Sequence, residues 1–342
     1  MELDCGMGEG GGQVLRTSLS LACVLGKSVS LNNIRAKRPK PGLQPQHLAC
    51  VNALQEIAGA KVEGNEIGSS SVSFSPSTVR PGDYSFDIGT AGSVALLAQC
   101  ILPVLCFAEK PSTVKIRGGT HVPFAPPFDY FTDVFLATVR KMGVKAEATL
   151  KSTGFYPAGG GEVRLEVKPV RGGGLDAILV EEKGRLKKIE LISTAGSLPE
   201  SIAKRQADAA KKTLEGFQPK ARIAEEKTLS PGTFFMAKAE YENSIAGFSS
   251  LGKRGKRAEE VGEEAASAFL EFNSSSASVD EHLADQVMLY AVLAKGESTF
   301  KSKTTGHVET NAEVIRRMTG IETTFDDNGV FAIKGLSYNP KA

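Results

Sequence analysis

Short alternating strands interleaved with amphipathic helices predict an α+β protein, and three observations sharpen that class. One order of elements recurs three times along the chain, glycine follows each second helix, and one stretch of extra chain interrupts the recurrence. The expected architecture is a body of three repeated βαβαββ-like units with a smaller inserted α+β domain. Residues 1–182 then carry repeats one and two, 183–278 the insert, and 279–342 repeat three.

Each unit reads as an apolar helix, a short strand, an irregular loop, a second helix and two strands. In the first, Gln13 to Leu25 is the helix, with Leu15, Leu19, Ala22 and Cys23 at three- and four-residue spacing. Ser28 to Ile34 is the strand, and Pro45 to Ile57 the second helix before Gly59. The second unit supplies Ser93 to Phe107, Ser112 to Ile116, and Pro127 to Met142 before Gly143. The third supplies Glu281 to Lys295, Ser298 to Ser302, and Asn311 to Met318 before Gly320. Ser112-Thr113 and Ser298-Thr299 stand 186 positions apart, as do His121-Val122 and His307-Val308. Equivalent loops leave equivalent sheet edges, so both histidines can approach one cleft, although the rigid apolar run Pro123 to Pro127 after His121 reads as a ring-stacking or packing wall and not as an acid–base site. The same offset matches Gln99 with Asp285, two polar residues on helices that need partners.

Composition excludes several classes. The 342 residues are 41% hydrophobic and 23% charged with a formal net charge of +2, so any polyanion must be met by local patches. Met1 to Cys5 lacks the basic and apolar regions of a signal peptide. The longest apolar run, Val94 to Phe107, is broken by Gln99 and Pro103, so no membrane contact is expected. Five scattered cysteines without a CxxC pair point to a reduced, cytoplasmic protein without a structural zinc site.

Four segments could carry chemistry. Gly6 to Gly12 joins a short strand to the first helix, whose free N–H groups suit an anion. It is neither a Walker loop nor a dinucleotide fingerprint. Glu9 within it either faces water or shares a divalent metal with phosphate, and Arg16, one turn on, can reach the same anion. Arg35 to His47 concentrates Arg35, Lys37, Arg38 and Lys40 in a proline-stiffened loop, a phosphate site or a solvated basic loop. His307 stands in Thr304 to Asn311, read as a loop before a helix capped by Thr310 or Asn311; it is a nucleophile or a surface histidine. His282 to Gln286 opens another helix, where Asp285 caps it, orients an imidazole or accepts from a ribose hydroxyl. In the insert, Lys253, Arg254, Lys256 and Arg257 either touch a polyanion or lie on a solvated helix face.

Together these segments resemble the RNA 3′-terminal phosphate cyclase family along nearly the whole chain. The matching stretches are GEGGGQVLRTSLSL from Gly8, IRAKRPKPGLQPQHL from Ile34, and GTAGSVALLAQ from Gly89. GFYPAGGGEV from Gly154, HLADQ from His282 and GHVETN from Gly306 complete them in order. Thr153 departs from the basic residue expected before GFYPAGGG. The resemblance implies an ATP-dependent ligase using Mg²⁺ or Mn²⁺, in which His307 takes AMP from ATP and passes it to an RNA 3′-phosphate. A vicinal 2′-hydroxyl then closes a 2′,3′-cyclic end and releases AMP. By position it implies that Gln99 and His282, Leu283, Ala284, Asp285 and Gln286 line the adenylate pocket, with Pro126 packed on the adenine opposite His282. Glu9 would hold the metal, Gln13 and Arg16 would lie near the phosphates, and Arg35, Arg38, Gln46 and His47 would bind ATP or the RNA end. Dimerisation is left open. The rivals are a non-catalytic cyclase-like protein in ribosome assembly, which should lack the histidine, and an enolpyruvyl transferase, which needs no nucleotidylated one.

Overall fold

The computed structural model describes residues 1–339 as four four-stranded sheets covered by helices. In the first unit β1 (Glu2–Asp4), α1 (Gly12–Leu25), β2 (Val29–Asn32), α2 (Pro45–Ile57), β3 (Lys61–Glu63) and β4 (Val72–Ser75) build a sheet of order β1-β2-β4-β3. The second comprises β5 (Asp83–Asp87), α3 (Val94–Cys106), β6 (Ser112–Gly118), a helix α4 over 128–141 with a wide-turned centre, β7 (Lys145–Ser152) and β8 (Gly161–Lys168). Its order is β5-β6-β8-β7. In both, the first two strands of the chain order are parallel and the remaining pairings antiparallel.

The third sheet follows the same order but is assembled from two stretches of chain. Its edge strand β9 (Leu179–Val180) precedes the extra segment and pairs parallel with β14 (Glu297–Lys301). The stretch before residue 183 therefore contributes to repeat three as well as to repeats one and two. Between them lie β10 (Leu186–Gly196), α5 (Glu200–Thr213), β11 (Lys220–Glu226), β12 (Gly232–Tyr241), β13 (Ile245–Leu251) and α6 (Ala258–Ser274), in a sheet of order β11-β10-β12-β13. This segment buries a core of its own, including Leu191, Phe235, Val261 and Phe269. After it come α7 (Glu281–Leu293), α8 (Gly306–Thr319), β15 (Thr323–Phe325) and β16 (Val330–Lys334).

The helices meet in the middle of the body. Helix α1 packs against α2, α3 and α8, which explains why eleven of its fourteen residues are buried. Its left-handed stop is Gly26 at φ 63°, the conformation glycine adopts without penalty. Helix α8 begins at Gly306, five residues earlier than the apolar pattern indicates. Its cap is Thr305, whose Oγ1 accepts from the Val308 N–H at 3.3 Å, rather than Thr310 or Asn311. His307 is consequently in the first turn of a helix and not in a loop. No helix among the described residues is long and apolar enough to cross a membrane, and all five cysteines are free and buried.

The inserted segment is held to the second and third units by buried polar groups. Asp280 caps α7, accepts from Tyr130 Oη at 2.7 Å and from the Gly247 N–H at 3.4 Å. Lys183 donates to the carbonyls of Phe272, Ser275 and Ala277, tying the two ends of the insert together. His121, expected near the His307 cleft, is buried instead at this junction, its ring 4.5 Å from that of Phe234. Its Nε2 lies 2.9 Å from Asp129 Oδ2, and Asp129 Oδ1 accepts from Arg222 of the insert at 3.0 Å. Burial pushes the Asp129 carboxyl upward, but His121 and Arg222 outweigh it and hold it below its ordinary value. Asp129→Ala leaves both partners unmatched and is expected to destabilise the fold by about 2–4 kcal/mol, read as a lower urea midpoint. An unchanged midpoint would remove this triad from the junction's energetics. The insert's own cations are mostly engaged at home: Arg205 with Glu259, Lys256 with Glu264 and Arg257 with Glu260.

Candidate active site

Three helices from distant parts of the chain bring the polar residues together. His307 Nδ1 lies 2.7 Å from Gln13 Oε1, and Gln13 Nε2 donates to Asp285 Oδ2 at 2.6 Å. Once Asp285 is ionised its carboxylate only accepts, which holds the amide end of Gln13 toward Asp285 and its carbonyl toward the imidazole. That carbonyl in turn requires a proton on Nδ1. The neutral ring therefore carries its lone pair on Nε2. Asn311 secures the arrangement from below, donating to the Asp285 carbonyl at 2.8 Å while accepting from Thr17 Oγ1 at 2.8 Å. Sequence reading assigned Asn311 only a capping role and passed over Thr17; the available signal was a polar residue on the buried side of an apolar helix.

Electrostatics keep the ring uncharged. Burial lowers the His307 pKa below its ordinary value, Glu9 opposes this, and Arg16, His282 and Arg38 add to the lowering. Asp285 behaves oppositely: burial raises its carboxyl to about 7, against the pull of Arg16. Glu9 Oε2 stands 3.3 Å from His307 Nε2 and 3.5 Å from an Arg38 nitrogen. The two acceptors, Gln13 and Glu9, compete for one imidazole proton. Gln13 is closer, so the Nε2 lone pair faces a carboxylate, which is unfavourable unless a cation compensates it.

Beside the ring, α1 presents an anion cradle. Gly11 precedes the helix without any side-chain cap, and its first turn contains no acid, so the leading N–H groups point outward unsatisfied. Arg16 is half-buried on this helix, and a Cβ at Gly11 would come within 3.0 Å of the Arg38 guanidinium. His47 packs on the helix start, where a Cβ at Gly12 would lie 2.3 Å from its Nε2. Burial, with Arg16 and Arg35 adding, pushes the His47 pKa down to about 3, and its buried Nδ1 has no partner within the described residues. A neutral ring and two guanidiniums around free N–H groups suit a phosphate chain.

A cleft of about 60 Å³ opens next to the relay, lined by Gln13, Arg16, Gln99, Asp285, Gln286 and Asn311. Gln99 Nε2 donates to Gln286 Oε1 at 2.7 Å across it. Of the remaining expected residues, His282 is exposed at the start of α7 and Pro126 is half-buried in the loop before α4. Leu283 and Ala284 are core residues whose side chains do not reach the cleft. Arg35 is turned onto the carbonyls of Lys40 and Gly42, closing its own loop. Gln46 reaches the second unit, where its Oε1 accepts from the Ser93 N–H at 2.7 Å. Among the described residues no three His, Cys, Asp or Glu side chains gather as a metal cage. Glu9 is the acidic side chain beside the cradle that would hold a divalent cation there.

Residues 7–325 match the family model described as RNA 3'-terminal phosphate cyclase. The chain belongs to this cyclase family. Relatives called RNA 3'-terminal phosphate cyclase match along most or nearly all of their length. That of Archaeoglobus fulgidus is 43% identical over 96% of this chain and 99% of its own. That of Methylococcus capsulatus is 44% identical over 93% and 90%, and that of Hyperthermus butylicus 41% identical over 99% of each. Among solved structures, the enolpyruvyl transferase NikO from Streptomyces tendae covers 98% of this chain and 48% of its own, with 11% identity and a TM-score of 0.42. That likeness is too weak to carry an argument. Membership of the cyclase family makes the chain an enzyme of that type and gives the relay and cradle a chemical context.

Proposed function

We propose that this cyclase converts an RNA 3′-terminal phosphate into a 2′,3′-cyclic phosphodiester at the expense of ATP, through AMP carried on His307. The observation that supports it best is the Nε2 lone pair, exposed by the Gln13–Asp285 relay beside the uncapped start of α1. Nε2 attacks the α-phosphorus of ATP, an N–P bond forms, and pyrophosphate departs with the electrons of the broken P–O bond. Because Nδ1 keeps its proton, the substituted ring is cationic, and the buried Asp285 offsets that charge through Gln13. A cationic ring is also a good leaving group. An oxygen of the RNA 3′-phosphate then takes AMP, and the electron pair of the N–P bond returns to Nε2. Finally the 2′-hydroxyl attacks the 3′-phosphorus, gives its proton to water and expels AMP, an intramolecular step with a high effective molarity.

Arg16, Arg38 and the α1 N–H groups would hold the phosphates, with charge developing on groups they already face. Glu9 would hold Mg²⁺ or Mn²⁺, which supplies charge neutralisation to the phosphates and removes the carboxylate's pull on Nε2. The test is an oligoribonucleotide with a 3′-phosphate incubated with protein, ATP and Mg²⁺. The expected end resists phosphatase and is reopened by acid; an end that stays phosphatase-sensitive would overturn the reading.

A further inference from the structure

Three loops from different parts of the chain, which touch one another, expose large apolar side chains. Phe124, in the loop before α4, is fully exposed, and Tyr156 and Leu229 are 66% and 74% exposed. The backbone joins their loops directly. The N–H groups of Thr120 and His121 donate to the Gly154 carbonyl, and the Ala158 N–H donates to Ser230 Oγ at 3.0 Å. A Cβ at Gly160 would lie 2.3 Å from Leu229. Isolated exposed hydrophobics are ordinary, but this clustering comes with strain. Phe124 has φ 63°, a left-handed backbone that a bulky residue adopts only when its surroundings force it. Pro123, Pro126 and Pro127 stiffen the same loop. A ring held rigidly in water, at a conformational cost and without packing, suits a flat partner and not the core.

A chain of close contacts ties the patch to the start of α1, beside His307. Gly159, in the Tyr156 turn, is so close to Ala91 that a Cβ would sit 2.9 Å from its Cα. Ser93, two residues on, is bonded to Gln46, whose neighbour His47 packs on the start of α1. Lys151 and Lys227 stand exposed at the edges of the same two turns. Aromatic faces flanked by cations and leading to an anion cradle are what single-stranded nucleic acid needs, since every base has a stackable face.

We propose that Phe124 and Tyr156, edged by Leu229, form a stacking shelf for the bases of single-stranded RNA upstream of its 3′-phosphate. This rests on reading the chain as an RNA cyclase, and it adds where the substrate strand lies.

The test is fluorescence anisotropy with a 5′-labelled oligoribonucleotide of about ten nucleotides ending in a 3′-phosphate. Phe124→Gly and Tyr156→Ala are each expected to weaken binding about tenfold, and Phe124→Trp to retain it. Phe124→Gly relieves the backbone, so its melting temperature should not fall, which separates lost stacking from lost folding. A nucleoside 3′,5′-bisphosphate, too short to reach the shelf, should bind all variants alike, and nucleotide labelling of His307 should be unchanged. Unchanged RNA affinity in the double variant would overturn the shelf. So would an equal loss of labelling, which would assign the rings to the nucleotide, or a change only in self-association, which would assign them to a second copy. If wild type takes no label yet the variants lose RNA, the shelf stands and the cyclisation reading falls.

Discussion

His307→Ala is expected to abolish covalent labelling by α-³²P-ATP, measured on a denaturing gel, while ATP still binds. Nothing else in the cleft can replace the nucleophile. The other histidine on the cradle, His47, is buried and packed against Gly12, and the nearest carboxylate, Glu9, is paired with Arg38. The wild-type adduct should be stable to alkali and cleaved by acid, as an N–P bond is and an acyl phosphate is not. The loss should be complete and not graded, because removing a covalent step leaves no slower version of it. RNA that already carries the (3′)pp(5′)A cap tests the other half. Its closure needs no N–P bond, so His307→Ala should still cyclise it at a measurable rate. Retained labelling in the variant would place the nucleophile elsewhere and end the proposal.

Much of this site was legible residue by residue, and little of it as geometry. Helices α1, α2 and α3 follow from apolar spacing to within a residue, because each buries one broad face against its neighbours. The edge strands β5 and β9 escaped: β5 alternates polar and aromatic residues but is short and nowhere fully buried, and β9 is two residues long, too short to show an alternation. The start of α8 was misplaced because a cap is a single side-chain contact, and Thr305, Thr310 and Asn311 are all chemically able to make it. The shared offset of His121 and His307 said nothing of what covers them, nor that His121 lies in a loop before its helix while His307 lies within one. An inserted segment lies over the first and leaves the second open. Gln13 was read as a phosphate neighbour; that it bonds His307 depends on two helices 294 residues apart arriving at one point.

The relay itself supplies the second large effect. Gln13→Leu removes both the acceptor for Nδ1 and the donor for Asp285, and should lower the labelling rate about 100-fold with ATP affinity nearly unchanged. Asp285→Ala should cost a similar factor, since it frees Gln13 to turn its amide nitrogen toward the ring and favour the wrong tautomer. The informative variant is the double one. Groups acting in series are lost once, so the double replacement should cost no more than the worse single. If the two losses multiply, Gln13 and Asp285 serve separate ends and the relay is not the orienting device. The pH dependence gives an independent reading. With its carboxyl raised to about 7, Asp285 gains its charge only as the pH passes through neutrality, so labelling should climb there and flatten in Asp285→Asn. Stability must run the other way. The folded protein holds the Asp285 proton between the ordinary carboxyl value of 3.8 and about 7, where the unfolded chain has released it. This group's contribution therefore falls as the pH rises through that window and is lost above it. Asp285→Asn should accordingly melt higher than wild type at pH 8 while labelling more slowly, and a variant that melts lower at that pH would mean that the carboxylate is stabilised by partners other than these.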